Sequence, residues 1–216
     1  MKIEQLRLGR HTESEDEFLR LATNFPEMPC AEIMLQPYLR PMWLSAREVY
    51  IRWFGYSIPC QGAVDALRRH FSGRRVVDAG AGTGYWSAIM RRYVPGIRIV
   101  ACDNRFGKFR RRFRRPTEQV FGIAPVRVRN VDAVRMIRPD THVFMSWPMY
   151  QSDFGYKVVK AISPGCILVL ISEGPGGCCG NDKMFDHVEA KCDEIEAVVI
   201  PQFDGIHDRM QVFRKK

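Results

Sequence analysis

Long uninterrupted hydrophobic runs are absent from this sequence. Hydrophobic residues make up 46% of its 216 positions, but no stretch approaches the roughly 18 consecutive apolar residues of a membrane-spanning helix. The first residues also lack the apolar core of a secretory signal, and the acidic stretch 13–17 is unlike the acid-poor composition of a transit peptide. We therefore expect a globular chain with neither a membrane span nor a targeting leader.

Paired cysteine motifs are absent as well. The seven cysteines are odd in number and none forms a C-x-x-C pair. Cys102 and Cys166 stand inside apolar runs, where a thiol behaves as a small hydrophobic group. The adjacent Cys178 and Cys179 lack the ligand spacing of a zinc site, so we expect no metal there and a tight turn instead. Reduced thiols are typical of the cell interior, and the sequence therefore predicts a cytoplasmic protein.

One segment contains no acidic residue at all. Arg105–Arg115 carries seven basic residues, against a net charge of +9 for the whole chain, so the basicity is a local patch. Phe106, Phe109 and Phe113 follow a helical spacing that predicts one buried helix face. The basic residues on the other faces have two interpretations. They form a solvated helix surface, or they contact the phosphates of RNA or DNA.

The first 54 residues differ in pattern from the rest of the chain. Two capping boxes, Ser14–Glu17 and Ser45–Glu48, indicate the starts of helices. Four prolines between them break the chain into short pieces. The sequence therefore predicts a helical N-terminal extension over residues 1–54.

Residues 55–216 predict one α/β domain. From Arg74 onward, short apolar runs alternate with helical patterns, which is the arrangement of crossover units around a parallel sheet. The runs that predict strands cover residues 74–78, 97–102, 126–128, 142–147, 166–172, 195–200 and 210–213. Too little chain separates the last two runs for a crossover helix, so the last strand should return antiparallel. The expected fold is a Rossmann-like, seven-stranded, mostly parallel sheet with an antiparallel last strand. The fourth, fifth and sixth strands are expected to be adjacent on one side of the first.

A glycine-rich loop follows the first predicted strand. The sequence D-A-G-A-G-T-G covers Asp78–Gly84 and runs into a helix, so the backbone can turn tightly and the helix offers free N–H groups to a ligand. A dinucleotide site would need G-x-G-x-x-G, and here position 85 is Tyr. Asp103 ends the second predicted strand, where a carboxylate can accept both ribose hydroxyls. Asp132 ends the third, and either acid has the alternative role of a helix N-cap.

This loop resembles the first motif of class I methyltransferases, and further motifs extend the resemblance over about residues 50–216. They are Y-S-I-P from Tyr56, S-W-P-M-Y from Ser146, G-G-C-C-G-N-D from Gly176 and G-I-H-D from Gly205. Together they resemble a family of small methyltransferase-like proteins with W-P-P-Y-type and G-G-C-T-G-D-type loops. Met149 and Cys179 depart from that pattern. The resemblance implies S-adenosylmethionine as cofactor, held by Asp78, Gly80, Gly82, Gly84, Tyr85, Trp86, Asp103, Asp132 and Ser146.

The resemblance also points to an acceptor site. Trp147 and Tyr150 could sandwich a planar acceptor, or Trp147 could simply pack under the cofactor. His207 beside Asp208 could be a general base, although loop histidines often face solvent. Since the carboxyl ends of parallel strands share one edge, the sequence predicts that Trp147, Tyr150, Cys178 and His207 line one cavity there.

Two functions follow from these patterns. The first is methyl transfer from S-adenosylmethionine to an unidentified nucleophile, either a small molecule or a nucleic acid, with Trp147, Tyr150 and His207 as the candidate catalytic residues. The alternative is a non-catalytic protein that uses the methyltransferase fold as an RNA-binding or assembly module. A ribose-binding carboxylate such as Asp103 favours the enzyme, because a scaffold does not need one.

Overall fold

The computed structural model of the protein describes Ile51 and residues 55–103, 127–203 and 205–216. Both predicted capping boxes and the arginine-rich segment Arg105–Arg115 lie outside the described residues. The elements in chain order are helix α1 (Gln61–Phe71), β1 (Arg75–Ala79), α2 (Tyr85–Tyr93), β2 (Arg98–Cys102), a 3₁₀ helix (Ala133–Met136), β3 (Thr141–Ser146), α3 (Asp153–Ala161), β4 (Ile167–Ser172), α4 (Asp182–Lys191), β5 (Cys192–Val198) and β6 (Arg209–Lys215).

Within the described residues, one sheet contains six strands in the order β2-β1-β3-β4-β6-β5. Strands β2, β1, β3 and β4 pair in parallel, and β6 is antiparallel to both β4 and β5. The prediction of an antiparallel last strand is therefore confirmed. The fold is a mixed, mostly parallel α/β sheet of the Rossmann-like type.

Two details of the predicted sheet are corrected. The third predicted strand is absent from described residues 127–132, where only Arg129 forms an isolated bridge, to Cys102. The last strand lies between β4 and β5, so the fifth and sixth predicted strands are not neighbours. The chain after β5 has no room for a crossover, and β6 instead folds back as a hairpin whose other edge pairs with β4.

The alternation of side chains along the strands divides the core into two apolar layers. Val76 and Phe144 face α1 and α2 on one side of the sheet. Val77 and Val143 face α3 and α4 on the other side. Alternate side chains of the parallel strands therefore point to opposite faces of the sheet, and helices cover both faces, as in other three-layer α/β domains.

The strand order creates a crevice at one edge of the sheet. From β1 the chain continues through α2 to β2 on one side, while β3 occupies the other side of β1. In open α/β sheets, ligands bind outside the carboxyl ends of the strands at such a reversal. The loop after β1 occupies this point.

Two further observations concern the described residues alone. No helix among them is long and apolar enough to span a lipid bilayer. The cysteines that fall within them are all free thiols: Cys60, Cys102, Cys166, Cys178, Cys179 and Cys192.

Candidate functional site

The loop after β1 depends on glycine for its shape. Gly80, Gly82 and Gly84 have φ angles of 78°, 53° and 81°, a region that L side chains rarely adopt. Gly84 is the N-cap of α2. A Cβ atom on Gly80 would lie 3.3 Å from the ring of Phe154, whereas a Cβ on Gly82 would meet no atom within 4 Å. The loop is therefore packed against the protein at Gly80 and open at Gly82.

Asp103 joins the tip of β2 to this loop. Its Oδ2 accepts a hydrogen bond from the Gly82 backbone N–H at 3.0 Å. The backbone N–H groups of Gly80 and Ala81 both donate to Cys102 O, at 2.9 and 3.0 Å. These contacts place a partly exposed carboxylate directly beside the open glycine.

Asp78 lies beneath the loop, not on its surface. It is 2% exposed, and its Oδ2 accepts a 2.6 Å hydrogen bond from the Ser87 hydroxyl on α2. Burial, with a smaller contribution from the nearby Asp103 carboxylate, raises the pKa of this carboxyl to about 7, and the Ser87 hydrogen bond opposes the shift. Asp78 thus ties β1 to α2 and supports the loop from below.

Asp132 is a helix N-cap, which is the alternative role that the sequence offered for it. It is exposed, and its Oδ1 accepts a hydrogen bond from Val134 N at 3.0 Å, which caps the 3₁₀ helix Ala133–Met136. Residues 127–131, directly before Asp132, form no strand, so its predicted position at a strand end is corrected. Its contact with a cofactor stays a prediction.

Tyr85 and Trp86 are core residues at the start of α2, 1% and 5% exposed. The indole N–H of Trp86 donates to Ser57 Oγ at 2.9 Å, and Ser57 Oγ lies 2.8 Å from Ser146 Oγ at the end of β3. This chain of hydrogen bonds connects the segment before α1 to the first residues after the glycine loop. The prediction that these side chains bind a cofactor remains a prediction.

Trp147 is held in place from two sides. Its ring stacks on Tyr56 with centroids 5.5 Å apart, and its indole N–H donates to Asp208 Oδ2 at 2.8 Å. Its φ of 50° is unusual for a bulky residue and is the kind of backbone strain found at functional turns. Since Asp208 is 1% exposed, this bond joins the loop after β3 to the loop before β6.

Glu173 was not singled out by the sequence analysis, yet it organises two loops. Its carboxylate accepts hydrogen bonds from the backbone N–H of Cys178 at 2.8 Å and of His207 at 3.2 Å. A Cβ on Gly177 would lie 2.4 Å from Glu173 Cβ, so this turn needs glycine. The available signal was an acid directly after the apolar run of β4, at the ligand-binding edge.

The loops after β3 and β4 are also paired directly. Gly180 N donates to Pro148 O at 2.8 Å, and Gln151 N donates to Gly180 O at 2.7 Å. The predicted meeting of these loops at the edge that carries Gly80 and Gly82 is therefore observed.

The prediction that Trp147, Tyr150, Cys178 and His207 share one cavity stays a prediction. A cavity of about 120 Å³ beside Tyr150 is lined by Cys179 and by the backbone around Gly176 and Gly180. Neither Trp147, Cys178 nor His207 lines it. Trp147 is turned toward Tyr56 and Asp208, and the exposed His207 is held by its backbone N–H.

The two adjacent cysteines differ in environment. Cys178 is exposed, and Cys179 is 2% exposed. Burial raises the pKa of the Cys179 thiol to about 11, which keeps it protonated, and its Sγ accepts a hydrogen bond from Glu173 N at 3.3 Å. In the described part of the chain, no group of three or more His, Cys, Asp or Glu residues is arranged to hold a metal ion.

No protein-family model matches the chain, and no curated protein matches it. Several solved structures are similar to it. TrmN from Thermus thermophilus has a TM-score of 0.48 and 17% identity over 71% of this chain, which spans 47% of TrmN. The N-methyltransferase NodS from Bradyrhizobium japonicum WM9 has a TM-score of 0.48 and 14% identity, over 70% of this chain and 92% of NodS. A mutant of MtNAS in complex with S-adenosylmethionine has a TM-score of 0.47 and 13% identity, over 93% of this chain and 71% of MtNAS. At such values, none of these similarities transfers an activity to this chain.

Proposed function

We propose that this protein is an S-adenosylmethionine-dependent methyltransferase that holds its cofactor on the loop after β1. One observation carries the proposal. Gly82 is open on its Cβ side, and its N–H is bonded to Asp103 at the reversal of strand order. A loop of this kind lets a ligand approach the backbone closely, beside a carboxylate that can bind hydroxyl groups.

The residues present fit this cofactor in two respects. The partly exposed carboxylate of Asp103 has several lone pairs, so it can bond Gly82 N and still accept from ribose hydroxyls. The spacing of the glycines differs from that of a dinucleotide fingerprint, which argues against a pyrophosphate ligand. S-adenosylmethionine, when bound, supplies a methyl group on a positively charged sulfonium. Desolvation and positioning of the acceptor by the protein can carry much of the rate of such a transfer.

The acceptor is proposed to bind at the same sheet edge, beyond the glycine loop. Tyr150 is 55% exposed and offers a ring for stacking. His207, fixed at its backbone by Glu173, is available as a base if the nucleophile carries a proton to remove. Trp147 is proposed to form a rigid wall of this site, since both its ring and its N–H are already engaged.

The class of acceptor remains a small molecule or a nucleic acid. A nucleic-acid acceptor would use Arg105–Arg115 for phosphate contact, as its charge favours. Tests of methyl transfer should therefore include RNA as well as small nucleophiles.

Isothermal titration calorimetry tests the cofactor directly. We expect micromolar binding of S-adenosylmethionine and of its demethylated product, and none of NAD. Asp103→Ala should weaken binding by about 1.5–3 kcal/mol, the usual range for hydrogen bonds to a charged acceptor. The matched control is Asp140→Ala, since Asp140 is an exposed aspartate beside β3 at the opposite end of the sheet.

Equal affinities for wild type and Asp103→Ala would remove Asp103 from the site. Absence of binding in the wild type would refute the proposal and favour the non-catalytic alternative, an RNA-binding or assembly module.

A further inference from the structure

A second, larger cavity lies at the sheet edge opposite the glycine loop. It measures about 670 Å³ and is formed at the start of β1, β3 and β4 and the end of β6, with the last turn of α1 as one wall. Its charged lining comprises Arg69, Arg74, Arg214 and Asp140, with His70 and His142. The lining thus contributes three arginines and one aspartate to a space of the size that small-molecule ligands occupy.

The sheet register spaces these groups across four adjacent strands. His142 on β3 pairs with Val76 on β1, and Ile167 on β4 pairs with Arg214 on β6. Because neighbouring strands lie about 4.8 Å apart, the row from β1 to β6 spans about 14 Å. Arg214 stands at one end of this row and His142 lies within it, while Arg74 lies two residues before Val76, at the β1 end.

The arginines of the cavity differ in their partners. Arg69 forms an ion pair with Glu196, and His70 bonds the same carboxylate at 2.8 Å. Arg74 and Arg214 are exposed, and no side chain within the described ranges forms a hydrogen bond or ion pair with either guanidinium. Two positive groups in this cavity are therefore available to an anion.

His142 adds a donor of fixed orientation. Its Nδ1 accepts a hydrogen bond from Ile167 N at 2.9 Å, so a neutral ring carries its proton on Nε2. Burial and the nearby Arg74 lower the pKa of this imidazole, which keeps it neutral, while Asp140 acts in the opposite sense. The thiol of Cys166 donates to Pro139 O at 3.3 Å, and burial raises its pKa, so it adds no negative charge.

From this arrangement we propose that the cavity is a binding site for phosphate groups, with Arg74 and Arg214 as the primary contacts and His142 Nε2–H as a third donor. Guanidinium groups bind phosphate oxygens through paired hydrogen bonds. The His142 Nε2–H can donate one further hydrogen bond to a phosphate oxygen. The phosphates belong either to a free polyphosphate or nucleotide or to the backbone of an RNA strand. The site is separate from the proposed cofactor site, because the two lie at opposite ends of the same strands.

The test uses the full-length protein and two kinds of probe. Calorimetry measures binding of inorganic triphosphate and of ATP, and fluorescence anisotropy measures binding of a labelled single-stranded RNA, at about 50 mM and about 200 mM salt. The double variant Arg74→Gln/Arg214→Gln is compared with Arg91→Gln/Arg92→Gln. The control pair is also exposed, lies on α2, and removes the same two charges.

We expect the cavity variant to bind at least roughly tenfold more weakly than the control, given the usual strength of charge-assisted hydrogen bonds. Loss confined to triphosphate and ATP assigns the site to a free ligand. Loss of RNA binding, with a shallower dependence on salt, assigns it to a nucleic-acid backbone. Both outcomes support a phosphate site.

Equal weakening by the two double variants would overturn the proposal, as would a wild type that binds neither probe at the lower salt. S-adenosylmethionine affinity and thermal unfolding, measured on every variant, separate a failed fold from a failed site. The single variant Arg214→Glu, at an exposed strand end, provides a second test if the double variant does not fold.

Discussion

The buried carboxyl of Asp78 should make the stability of this protein depend on pH in a specific way. Asp78 is 2% exposed and its pKa is raised to about 7 by burial, compared with about 3.9 in an unfolded chain. Folding therefore takes up a proton between about pH 4 and pH 7. Because the folded state binds more protons in this window, stability must fall as the pH rises through it.

The magnitude follows from the two pKa values. With about 1.36 kcal/mol for each pKa unit, the cost of burying this group grows by roughly 2–3 kcal/mol between pH 5 and pH 8. Asp78→Asn removes the titrating group and keeps an amide oxygen to accept the Ser87 hydroxyl. The variant should therefore gain stability relative to wild type as the pH rises, by about that amount over the same interval.

Urea unfolding at pH values from 5 to 8 measures this difference. Asp186→Asn is the control, since it neutralises an aspartate that is exposed on α4 and should not reproduce the pH-dependent difference. Ser87→Ala should shift the wild-type profile to higher pH, because the hydrogen bond that lowers the Asp78 pKa is lost. If the free energies of unfolding of Asp78→Asn and wild type differ by the same amount at every pH, Asp78 is not a buried, partly protonated acid.

Two further predictions concern the loops around the site. Gly80→Ala should cost about 1–2 kcal/mol of stability, because its φ is left-handed and its Cβ would crowd Phe154. Gly82→Ala is strained but faces open space, so it should lower cofactor affinity more than Gly80→Ala does. Calorimetry and thermal unfolding on both variants check this. If Gly80→Ala lowers the affinity more, the ligand binds elsewhere. Trp147→Phe leaves the buried Asp208 without its indole donor and should cost about 1.5–3 kcal/mol in urea unfolding. A loss within about 0.5 kcal/mol, the usual range for neutral surface changes, would show that this bond does not hold the two loops together.

The local elements of this fold were predictable because their signals are local. The apolar run at 74–78 became β1 at Arg75–Ala79, and the helix expected after Gly84 became α2 at Tyr85–Tyr93. Hydrophobic periodicity, and glycine where φ must be positive, act over a few residues and can be read from the chain. The position of Asp103 directly after β2 was predicted in the same way, but its hydrogen bond to Gly82, 21 residues earlier, was not.

The contacts between distant segments could not be predicted in this way. The hydrogen-bond partner of Trp147 is 61 residues away, at Asp208. Glu173 accepts hydrogen bonds from the backbone of Cys178 and His207, and only the folded chain brings these residues together. The large cavity likewise collects Arg74 and Arg214 from opposite ends of the domain sequence.

The amino-acid sequence by itself determined the kind and order of most of the described elements, and the glycine loop after β1, since propensity and periodicity operate within each segment. Only the tertiary structure decided that β6 lies between β4 and β5 and that Trp147 turns toward a buried carboxylate. It also decided that two arginines, without a side-chain partner in the part of the chain that the structure describes, share a cavity. The physical reason is that strand order, burial of charge and loop contacts depend on the free energy of packing the whole chain. No single segment contains the groups that settle that balance.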